Sequence, residues 1–172
     1  MIVCETEKLI VRHFTLADAE FIVELLNEES FIRYIADKQV RDIADAENYL
    51  TAGPMASYAQ FGFGLNLVML KGTNTPIGMC GLLKRDELQD PDLGYAFLPS
   101  HCGQGYALEA ANSVLKKGMM DHCLDLVLAV TLPDNLNSNR LLQRAGFTQN
   151  GVVNLYGSEN NLYEYRAMRH AS

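Results

Sequence analysis

A glycine-rich loop that leads directly into a helix is the stretch of this sequence best suited to chemistry. The run SHCGQGYALEA at 100–110 places Gly103 and Gly105 around one glutamine and continues into an alanine-rich segment. The first amides of a helix have no partners within it, and the helix dipole adds partial positive charge there. Missing Cβ atoms would let this backbone close on an anion, so the pattern is typical of a phosphate-binding loop.

Other interpretations apply to the same loop. A Walker loop needs G-x-x-x-x-G-K-[ST], and the chain contains no such run. A dinucleotide fold needs G-x-G-x-x-G, but the third position here is Leu108, which argues against close helix packing of that kind. The glycines could also do no more than turn the chain. The loop alone does not decide between a turn and a phosphate site.

A second patterned segment, PDNLNSNRLLQRAGF at 133–147, follows a buried strand. The opening PDN suits the N-cap of a helix, and Gly146 suits the left-handed position just beyond its end. Asn135 and Ser138 would then lie in the first turn of that helix. A polar first turn can bind a ligand, or it can simply bond its own backbone.

The elements that must position these two motifs alternate between strands and helices. TLAD at 15–18 begins a first helix, a second helical region at 42–60 is interrupted at Gly53-Pro54, and a helix follows each motif. Gly94, inside a strand, indicates a bulge or a close approach by another backbone. The predicted class is α/β (α+β), a mixed, mostly antiparallel sheet of about seven strands flanked by helices. Strands are predicted at 8–14, 63–70, 76–85, 92–98, 124–132, 147–155 and 161–169.

Length and composition predict one domain spanning residues 1–172. The net charge of −7 argues against a nucleic-acid partner, and no apolar run is long enough to cross a membrane. The N-terminus does not read as a signal peptide, and the four cysteines form no C-x-x-C pair, so a reduced, cytoplasmic protein is expected. His101-Cys102 and His122-Cys123 lack further ligands at suitable spacing, so no metal site is predicted.

Taken together, the ordered motifs resemble those of the GNAT superfamily of acetyl-CoA-dependent N-acetyltransferases. The resemblance rests on C-G-Q-G-Y-A at 102–107, followed by N-x-x-S-x-R-L-L-x-x-x-G-F at 135–147. The opening ETEKLIVRHFTLADAEFI and the hairpin ending in PIGMCGL look like the branch with the Rim-type ribosomal-protein N-terminal acetyltransferases and the spermidine acetyltransferases. The resemblance covers about residues 5 to 168.

This resemblance implies a site for acetyl-CoA as co-substrate. The pyrophosphate would lie on the loop amides, and the pantetheine arm would pair with the backbone of Phe97 and Leu98, where the strand splays from its neighbour. A backbone N–H at the suspected bulge near Gly94 would polarise the thioester carbonyl. Asn135 matches a cofactor-contacting Asn of the family, and an ordinary helix N-cap is the other interpretation. The implied loop contacts are Cys102, Gly103, Gln104, Gly105, Tyr106 and Ala107, with Leu108 beside them.

Two departures from the family pattern affect the expected chemistry. Cys102 stands where many members have Arg or Gln, which weakens side-chain contacts but not a backbone site. Leu142 stands where many relatives carry a Tyr that acts as general acid. By resemblance, Ser138 is the candidate to protonate the leaving thiolate, and a distant Tyr or water could take that role instead. No cysteine nucleophile is expected, because Cys102 would lie beside the pyrophosphate rather than the thioester.

An amine acceptor also needs a base, because a protonated amine is not a nucleophile and an α-amine has a pKa of about 8. Glu87 is the preferred candidate for this base, and Asp92 and His101 are the alternatives. Tyr95, Tyr156 and Tyr163 are candidates for lining the amine pocket. For each of these residues, surface exposure or core packing is the competing explanation.

The function that follows is transfer of an acetyl group to a primary amine by direct attack in a ternary complex. Rim-like resemblance favours a protein N-terminal α-amine, such as that of a ribosomal protein. Polyamines or amine antibiotics are the alternative acceptors, and a non-catalytic acyl-CoA-binding sensor is the alternative class. Many relatives dimerise, so a homodimer is left open.

Overall fold

The computed structural model describes residues 1–167, which form one sheet with helices on both faces. The strands are β1 (Ile2–Glu5), β2 (Leu9–His13), β3 (Leu65–Leu70), β4 (Pro76–Leu83), β5 (Asp92–Phe97), β6 (Leu126–Thr131), β7 (Thr148–Leu155) and β8 (Ser158–Arg166). The helices are α1 (Ala19–Leu26), α2 (Glu29–Tyr34), α3 (Ile43–Leu50), α4 (Ala56–Phe61), α5 (Tyr106–Asp121) and α6 (Leu136–Arg144).

The sheet has eight strands in the order β1-β2-β3-β4-β5-β6-β8-β7. Every neighbouring pair is antiparallel except β5 and β6, which are parallel. This confirms the predicted mixed α/β class with a mostly antiparallel sheet. The sheet has one strand more than predicted. The additional strand is β1, which lies at the edge of the sheet and pairs only with β2.

Two apolar layers hold the helices against the sheet, one on each face. On one face the small residues Ala110 and Ala111 bring α5 close to the strands, and Leu142 of α6 packs into the same layer. On the other face α1, α2 and α3 contribute a second layer that includes Ile22 and Leu50. The alternation of side chains along each strand separates the two layers.

The entry into α1 is held by charge. A short 3₁₀ turn, Leu16–Asp18, precedes the helix, and the amide of Thr15 donates to Asp18 Oδ2 at 2.9 Å. Arg12 on β2 forms a two-point ion pair with the same carboxylate, at 2.8 and 2.9 Å. The helix start predicted at TLAD is therefore present, and it is tied to the neighbouring strand.

Three local features differ from, or refine, the sequence interpretation. The six-residue helix α2 is not anticipated by the sequence pattern. The interruption at Gly53-Pro54 is a π-helical segment, Thr51–Met55, that joins α3 to α4 because proline cannot donate to a regular helical ladder. The last predicted strand, 161–169, begins earlier and ends at Arg166, and residues 168 and 169 lie outside the described residues.

Candidate active site

The sheet opens between β5 and β6. These two strands share a single register pair, Asp92 opposite Leu128, and the Leu128 amide donates to the Pro91 carbonyl at 2.9 Å. Beyond that point β5 pairs only with β4, whereas β6 pairs with β8. The two strands therefore diverge towards their C-terminal ends, and a gap opens between them.

Backbone groups of β5 face this gap. The Leu98 amide donates to the Ile77 carbonyl at 2.9 Å, which sets the phase of the antiparallel ladder between β4 and β5. Hydrogen-bonded and free positions alternate in such a ladder, so the N–H and C=O groups of Tyr95 and Phe97 point away from β4. Of the two positions predicted to pair with a cofactor arm, Phe97 faces the gap, whereas the Leu98 amide is already bonded within the sheet.

The bulge predicted near Gly94 is absent. The register between β4 and β5 is regular from Asp92 to Phe97, with Gly94 opposite Gly81. A Cβ added at Gly94 would lie 2.8 Å from Leu83 Cδ1, so a neighbouring side chain approaches this glycine. The same alternation directs the Gly94 N–H towards β4, which makes the Tyr95 N–H the nearest gap-facing donor.

The glycine loop lies at the C-terminal end of β5 and turns the chain into α5. Gly103 and Gly105 have φ of +79° and +84°, and Gly105 is the N-cap of the helix. A Cβ at either position would meet nothing within 4 Å, so the left-handed backbone, and not lack of space, requires glycine. The first-turn amides of Tyr106 and Ala107 have no acceptor within the helix.

The other two predicted loop residues use their side chains locally. Gln104 is exposed, and its Nε2 donates to the Ser100 carbonyl at 3.4 Å. Cys102 Sγ lies 3.6 Å from the Leu98 carbonyl, and burial raises the pKa of this thiol. A thiol with a raised pKa is largely protonated at neutral pH, whereas the thiolate is the nucleophilic form.

The N-terminal turn of α5 is also anchored from β1 and β2. Glu109 accepts a hydrogen bond from the Thr6 hydroxyl and a second from the Lys8 amide at 3.2 Å. The carboxylate thus ties the first turn of the helix to the β1–β2 turn. This contact spans about a hundred residues of sequence, so the spacing pattern contained no sign of it.

Ser138 and Tyr95 meet across the gap. Their hydroxyl groups share a short hydrogen bond, and the Tyr95 hydroxyl also lies 3.4 Å from the Ser138 carbonyl. Burial raises the pKa of Tyr95, and the hydrogen bond with Ser138 opposes that shift without cancelling it. Asn135 is the N-cap of α6, and its Oδ1 accepts from the Ser138 amide at 3.4 Å.

A polar hub that the sequence interpretation missed lies next to Ser138. The Oδ1 atom of Asn139 accepts hydrogen bonds from the Thr131 hydroxyl, from the Tyr163 hydroxyl at 3.1 Å and from Asn161 Nδ2 at 3.4 Å. Its Nδ2 donates to the Pro133 carbonyl at 3.1 Å. Tyr163 is buried in this hub and does not line an open amine pocket. The hub joins α6 to β6 and β8, and it thereby sets the position of the first helical turn.

The remaining base candidates lie in two places. Asp92 is 1% exposed and forms a two-point ion pair with Arg85, at 2.7 and 3.0 Å. Burial raises the pKa of Asp92, and the Arg85 guanidinium opposes the shift. With both oxygens engaged, this carboxylate is not placed to accept a proton from an incoming amine. His101 lies at the glycine loop, with its ring centroid 6.5 Å from that of Tyr106.

Glu87 lies in the exposed loop between β4 and β5. Its Oε2 accepts a hydrogen bond from the Tyr156 hydroxyl at 3.3 Å, and Tyr156 is 72% exposed at the tip of the β7–β8 hairpin. The structure therefore brings two predicted acceptor-side residues together. The contact is open to solvent, so the Glu87 carboxylate is accessible to an amine.

The chain matches the family model described as an acetyltransferase (GNAT) domain over residues 8–148. This chain belongs to the GNAT acetyltransferase family. It is similar to the uncharacterized N-acetyltransferase YoaA of Bacillus subtilis, at 29% identity over 160 residues that cover 92% of this chain and 89% of the relative. It is also similar to the uncharacterized N-acetyltransferase p20 of Bacillus licheniformis, at 24% identity, with 88% of this chain and 85% of the relative covered.

Solved acetyltransferase structures share the fold at low sequence identity. An acetyltransferase from Agrobacterium tumefaciens superposes with a TM-score of 0.83 at 22% identity, over 95% of this chain and 94% of the other. The ribosomal-protein acetyltransferase RimL, solved with coenzyme A, gives 0.83 at 16% identity over 96% and 98%. An aminoglycoside acetyltransferase, also solved with coenzyme A, gives 0.76 at 18% identity over 92% and 94%.

Family membership makes the protein an acetyl-CoA-dependent acyltransferase, and the residues present fit that co-substrate. A cradle of left-handed glycines precedes a helix N-terminus, which suits a pyrophosphate. The edge of β5 beside this cradle has free backbone groups, which suit the amide-bearing pantetheine arm of acetyl-CoA. In the described residues 1–167, no helix is long and apolar enough to cross a membrane.

Proposed function

We propose that this GNAT enzyme acetylates the N-terminal α-amine of a protein, by direct attack of the amine in a ternary complex. The observation that carries the proposal is the gap between β5 and β6, which has the glycine cradle at its mouth and the Tyr95–Ser138 pair across it. The exposed contact between Glu87 and Tyr156 supports a large acceptor, because the acceptor side is not enclosed around a small molecule. The similarity to RimL supports the proposal only by showing that an enzyme with this fold acetylates a protein α-amine.

Binding of acetyl-CoA is assigned to backbone groups. The amides of residues 103–107 hold the pyrophosphate, aided by the dipole of α5. The exposed edge of β5 pairs with the pantetheine arm through Tyr95 and Phe97. Asn135 keeps its capping role in the same first turn of α6 as Ser138, whereas Cys102 and Leu98 contribute less because their groups are engaged locally.

Acetyl-CoA, when bound, supplies a thioester whose carbonyl carbon accepts the amine. The gap-facing N–H of Tyr95 would donate to the carbonyl oxygen, where negative charge develops during attack. The hydroxyl pair of Ser138 and Tyr95 would return a proton to the leaving sulfur, with Tyr95 as the distant tyrosine that replaces the missing one at Leu142. Tyr95 carries its proton at neutral pH, and because burial raises its pKa, the transfer would depend on the negative charge that develops on the leaving sulfur.

Glu87 is proposed as the group that removes a proton from the incoming ammonium, directly or through a water molecule. An α-amine with a pKa of about 8 needs only modest help near neutral pH, whereas a lysine amine at about 10.4 needs more. A solvent-exposed carboxylate is therefore better matched to an α-amine. Its charge would also attract the protonated amine before deprotonation.

Two alternatives from the sequence interpretation are kept. A small amine, such as a polyamine or an amine antibiotic, would use the same acetyl-CoA site with a different acceptor. A non-catalytic sensor would bind acetyl-CoA and release no coenzyme A. A single domain over residues 1–172, a cytoplasmic location and a homodimer stay predictions, as does the absence of a nucleic-acid partner.

An acceptor panel tests the proposal. The protein is incubated with acetyl-CoA and hexapeptides bearing free N-termini, the same peptides Nα-blocked but containing lysine, spermidine and kanamycin, and products are identified by mass spectrometry. Acetylation restricted to free α-amines is the expected result. Turnover only with spermidine or kanamycin would replace it with the small-amine function. Acetyl-CoA binding without any acetylated product would favour the sensor.

A further inference from the structure

The tip of the β7–β8 hairpin is a turn of two residues. Leu155 and Ser158 form the last register pair of the hairpin, so Tyr156 and Gly157 connect its two strands. Their φ angles are +52° and +83°, as in the type I′ turn that suits the twist of a hairpin. The second position is glycine, which adopts this backbone without strain. The first position favours Asn, Asp or Gly, but here it holds a tyrosine.

Tyr156 is a strained residue in an exposed place. Among the non-glycine residues with positive φ in the described part of the chain, it is the one with an aromatic ring. A bulky side chain in this conformation is an outlier, and such outliers cluster where the strain serves a site. Because Tyr156 is 72% exposed, burial of its ring does not offset the strain. Its exposed hydrogen bond to Glu87 contributes modestly to stability, because it replaces hydrogen bonds to water.

Two leucines fix the position of this turn. Leu155 precedes Tyr156 in the sequence, and Leu88 follows Glu87. Both leucines are buried in one small apolar cluster, together with Leu128. The hairpin tip and the β4–β5 loop therefore pack against each other one residue away from the contact between Tyr156 and Glu87. This packing supports the strained backbone, because a change of conformation at Tyr156 would also move the adjacent Leu155.

The Tyr156 hydroxyl lies between a cation and an anion. Burial lowers the pKa of Arg85, but Asp92 and Tyr156 raise it and prevail, so the guanidinium faces both groups. Because a guanidinium has donors only, it favours the orientation in which the hydroxyl oxygen points towards Arg85 and the proton towards Glu87. The hydroxyl donates to Glu87 Oε2 at 3.3 Å. No donor in the described part of the chain engages the other oxygen, Glu87 Oε1.

We propose that Tyr156 is a positioning residue for the acceptor amine, because it holds one oxygen of Glu87 so that the other oxygen receives the amine proton. This role rests on the proposed function, in which Glu87 is the base. The proton moves from the ammonium nitrogen of the acceptor to Glu87 Oε1, and the neutral amine keeps the electron pair with which it attacks the thioester carbonyl. Tyr156 keeps its own proton throughout. The strained turn is then retained for acetyl transfer and not for stability.

Three variants of the full chain separate strain from positioning. Tyr156→Phe keeps the ring and the strained turn but removes the hydroxyl, so kcat should fall about fivefold or more near pH 7. Tyr156→Asn places a preferred residue in the turn, so the melting temperature should rise by about 1–4 °C while kcat falls by a similar factor. Gln39→Asn, at another exposed position with φ of +57°, is the matched control. It should also raise the melting temperature, but it should leave turnover unchanged.

Turnover is measured with acetyl-CoA and a peptide that has a free N-terminus, and the Kd for acetyl-CoA should be the same in all variants. Tyr156→Phe combined with Glu87→Gln should be no slower than Glu87→Gln alone, because the hydroxyl acts through the carboxylate. With an active wild type, unchanged kcat in Tyr156→Phe, losses that multiply in the double variant, or a lower melting temperature in Tyr156→Asn would overturn the positioning role alone. A wild type that acetylates no peptide would contradict the proposed function, and the positioning role with it.

Discussion

The hydroxyl of Tyr95 on β5 and the hydroxyl of Ser138 on α6 form a hydrogen bond across the gap in the sheet. The two residues lie 43 positions apart, on elements joined by a glycine loop, a helix and a strand. Their contact places a protonated phenol beside the serine that the family resemblance indicates for proton return. Leu142, at the position where many relatives carry a tyrosine, is buried in the core.

Removal of either hydroxyl should slow turnover. Ser138→Ala and Tyr95→Phe are each expected to lower kcat about tenfold or more, within the range for lost proton transfer. The double variant should be little worse than either single one, because the pair acts as a unit. Coenzyme A release measured by chromatography checks this, with acetyl-CoA affinity as the control. Fully additive losses would show that the two hydroxyls act separately.

The loop glycines offer a second test with a matched control. Gly105→Ala places a Cβ at φ +84° and should cost about 1–2 kcal/mol of stability from backbone strain, and the shifted amides should weaken acetyl-CoA binding about tenfold. Gly72→Ala, in the β3–β4 turn at φ +94°, also meets nothing within 4 Å and introduces comparable strain far from the loop. Calorimetric titration should show weakened binding for Gly105→Ala only. An equal loss of acetyl-CoA affinity in both variants would show that the effect comes from general backbone strain.

The proposed role of Glu87 as a base can be distinguished from a general effect of charge in its loop. Glu87→Gln keeps a hydrogen-bond acceptor for Tyr156 but removes the base, so kcat/KM should fall about tenfold to a hundredfold near pH 7. The deficit should shrink as the pH approaches about 8, where an α-amine deprotonates without help. Asp86→Asn, in the same exposed loop, is the charge-matched control. A deficit that is constant with pH, or shared by Asp86→Asn, would argue against a base.

The pH dependence of the free energy of unfolding in acid should reveal the ion pair between Arg12 and Asp18 at the start of α1. Burial alone would raise the pKa of Asp18, but the Arg12 guanidinium and the Thr15 amide together hold it below its ordinary 3.8. The folded state therefore binds fewer protons than the unfolded state below pH 3.8, so this stabilisation is present above that pH and is lost as the pH falls through the folded pKa. Asp18→Asn should cost about 2 kcal/mol at pH 7 and flatten this acid dependence. Urea unfolding at pH 7 and pH 3 measures both effects.

The polar hub around Asn139 should affect catalysis mainly through the position of the first turn of α6. Asn139→Ala leaves the Thr131 and Tyr163 hydroxyls without their acceptor and should destabilise the fold by about 1–3 kcal/mol. Because the hub sets the first turn of α6, kcat should fall more than acetyl-CoA affinity. Asn161→Ala removes the longest of the three contacts, at 3.4 Å, together with an exposed hydrogen bond from Gln149 Nε2 at 3.1 Å, and should have a smaller effect on both quantities. Activity that tracks the folded fraction alone would assign the hub a purely structural role.

Most of the sheet and the glycine loop could be predicted because their signals are local. Alternation and turn residues located seven strands within a few positions, and the φ values of Gly103 and Gly105 agree with the glycine pattern. β1 was missed because an edge strand of four residues, with one register shift, carries little alternation. α2 was missed because six residues do not establish a helical period.

Contacts that depend on the path of the chain could not be predicted. Four residues were each identified as candidates, namely Ser138, Tyr95, Glu87 and Tyr156. Their pairing depends on how the fold places α6 against β5 and the tip of the β7–β8 hairpin against the β4–β5 loop. Gly94 was predicted to mark a bulge or a close approach by another backbone, and both were wrong, because the register is regular and the atoms nearest to its missing Cβ belong to leucine side chains. Asn139 gave no signal, since a polar residue in a helix is ordinary until three donors converge on it.

The single register pair between Asp92 and Leu128 has a consequence for how the protein opens and closes. Backbone hydrogen bonds join two units of the sheet, β1–β5 and β6–β8, at one end only, although the apolar layer under α5 spans both units. The free protein should therefore exchange amide hydrogens faster along the gap than inside either unit. An extended arm bound along Tyr95 and Phe97 would take the place of a missing strand and couple the two units. Occupancy of the gap would then be reported by hydrogen-exchange protection far from the glycine loop, including in β8.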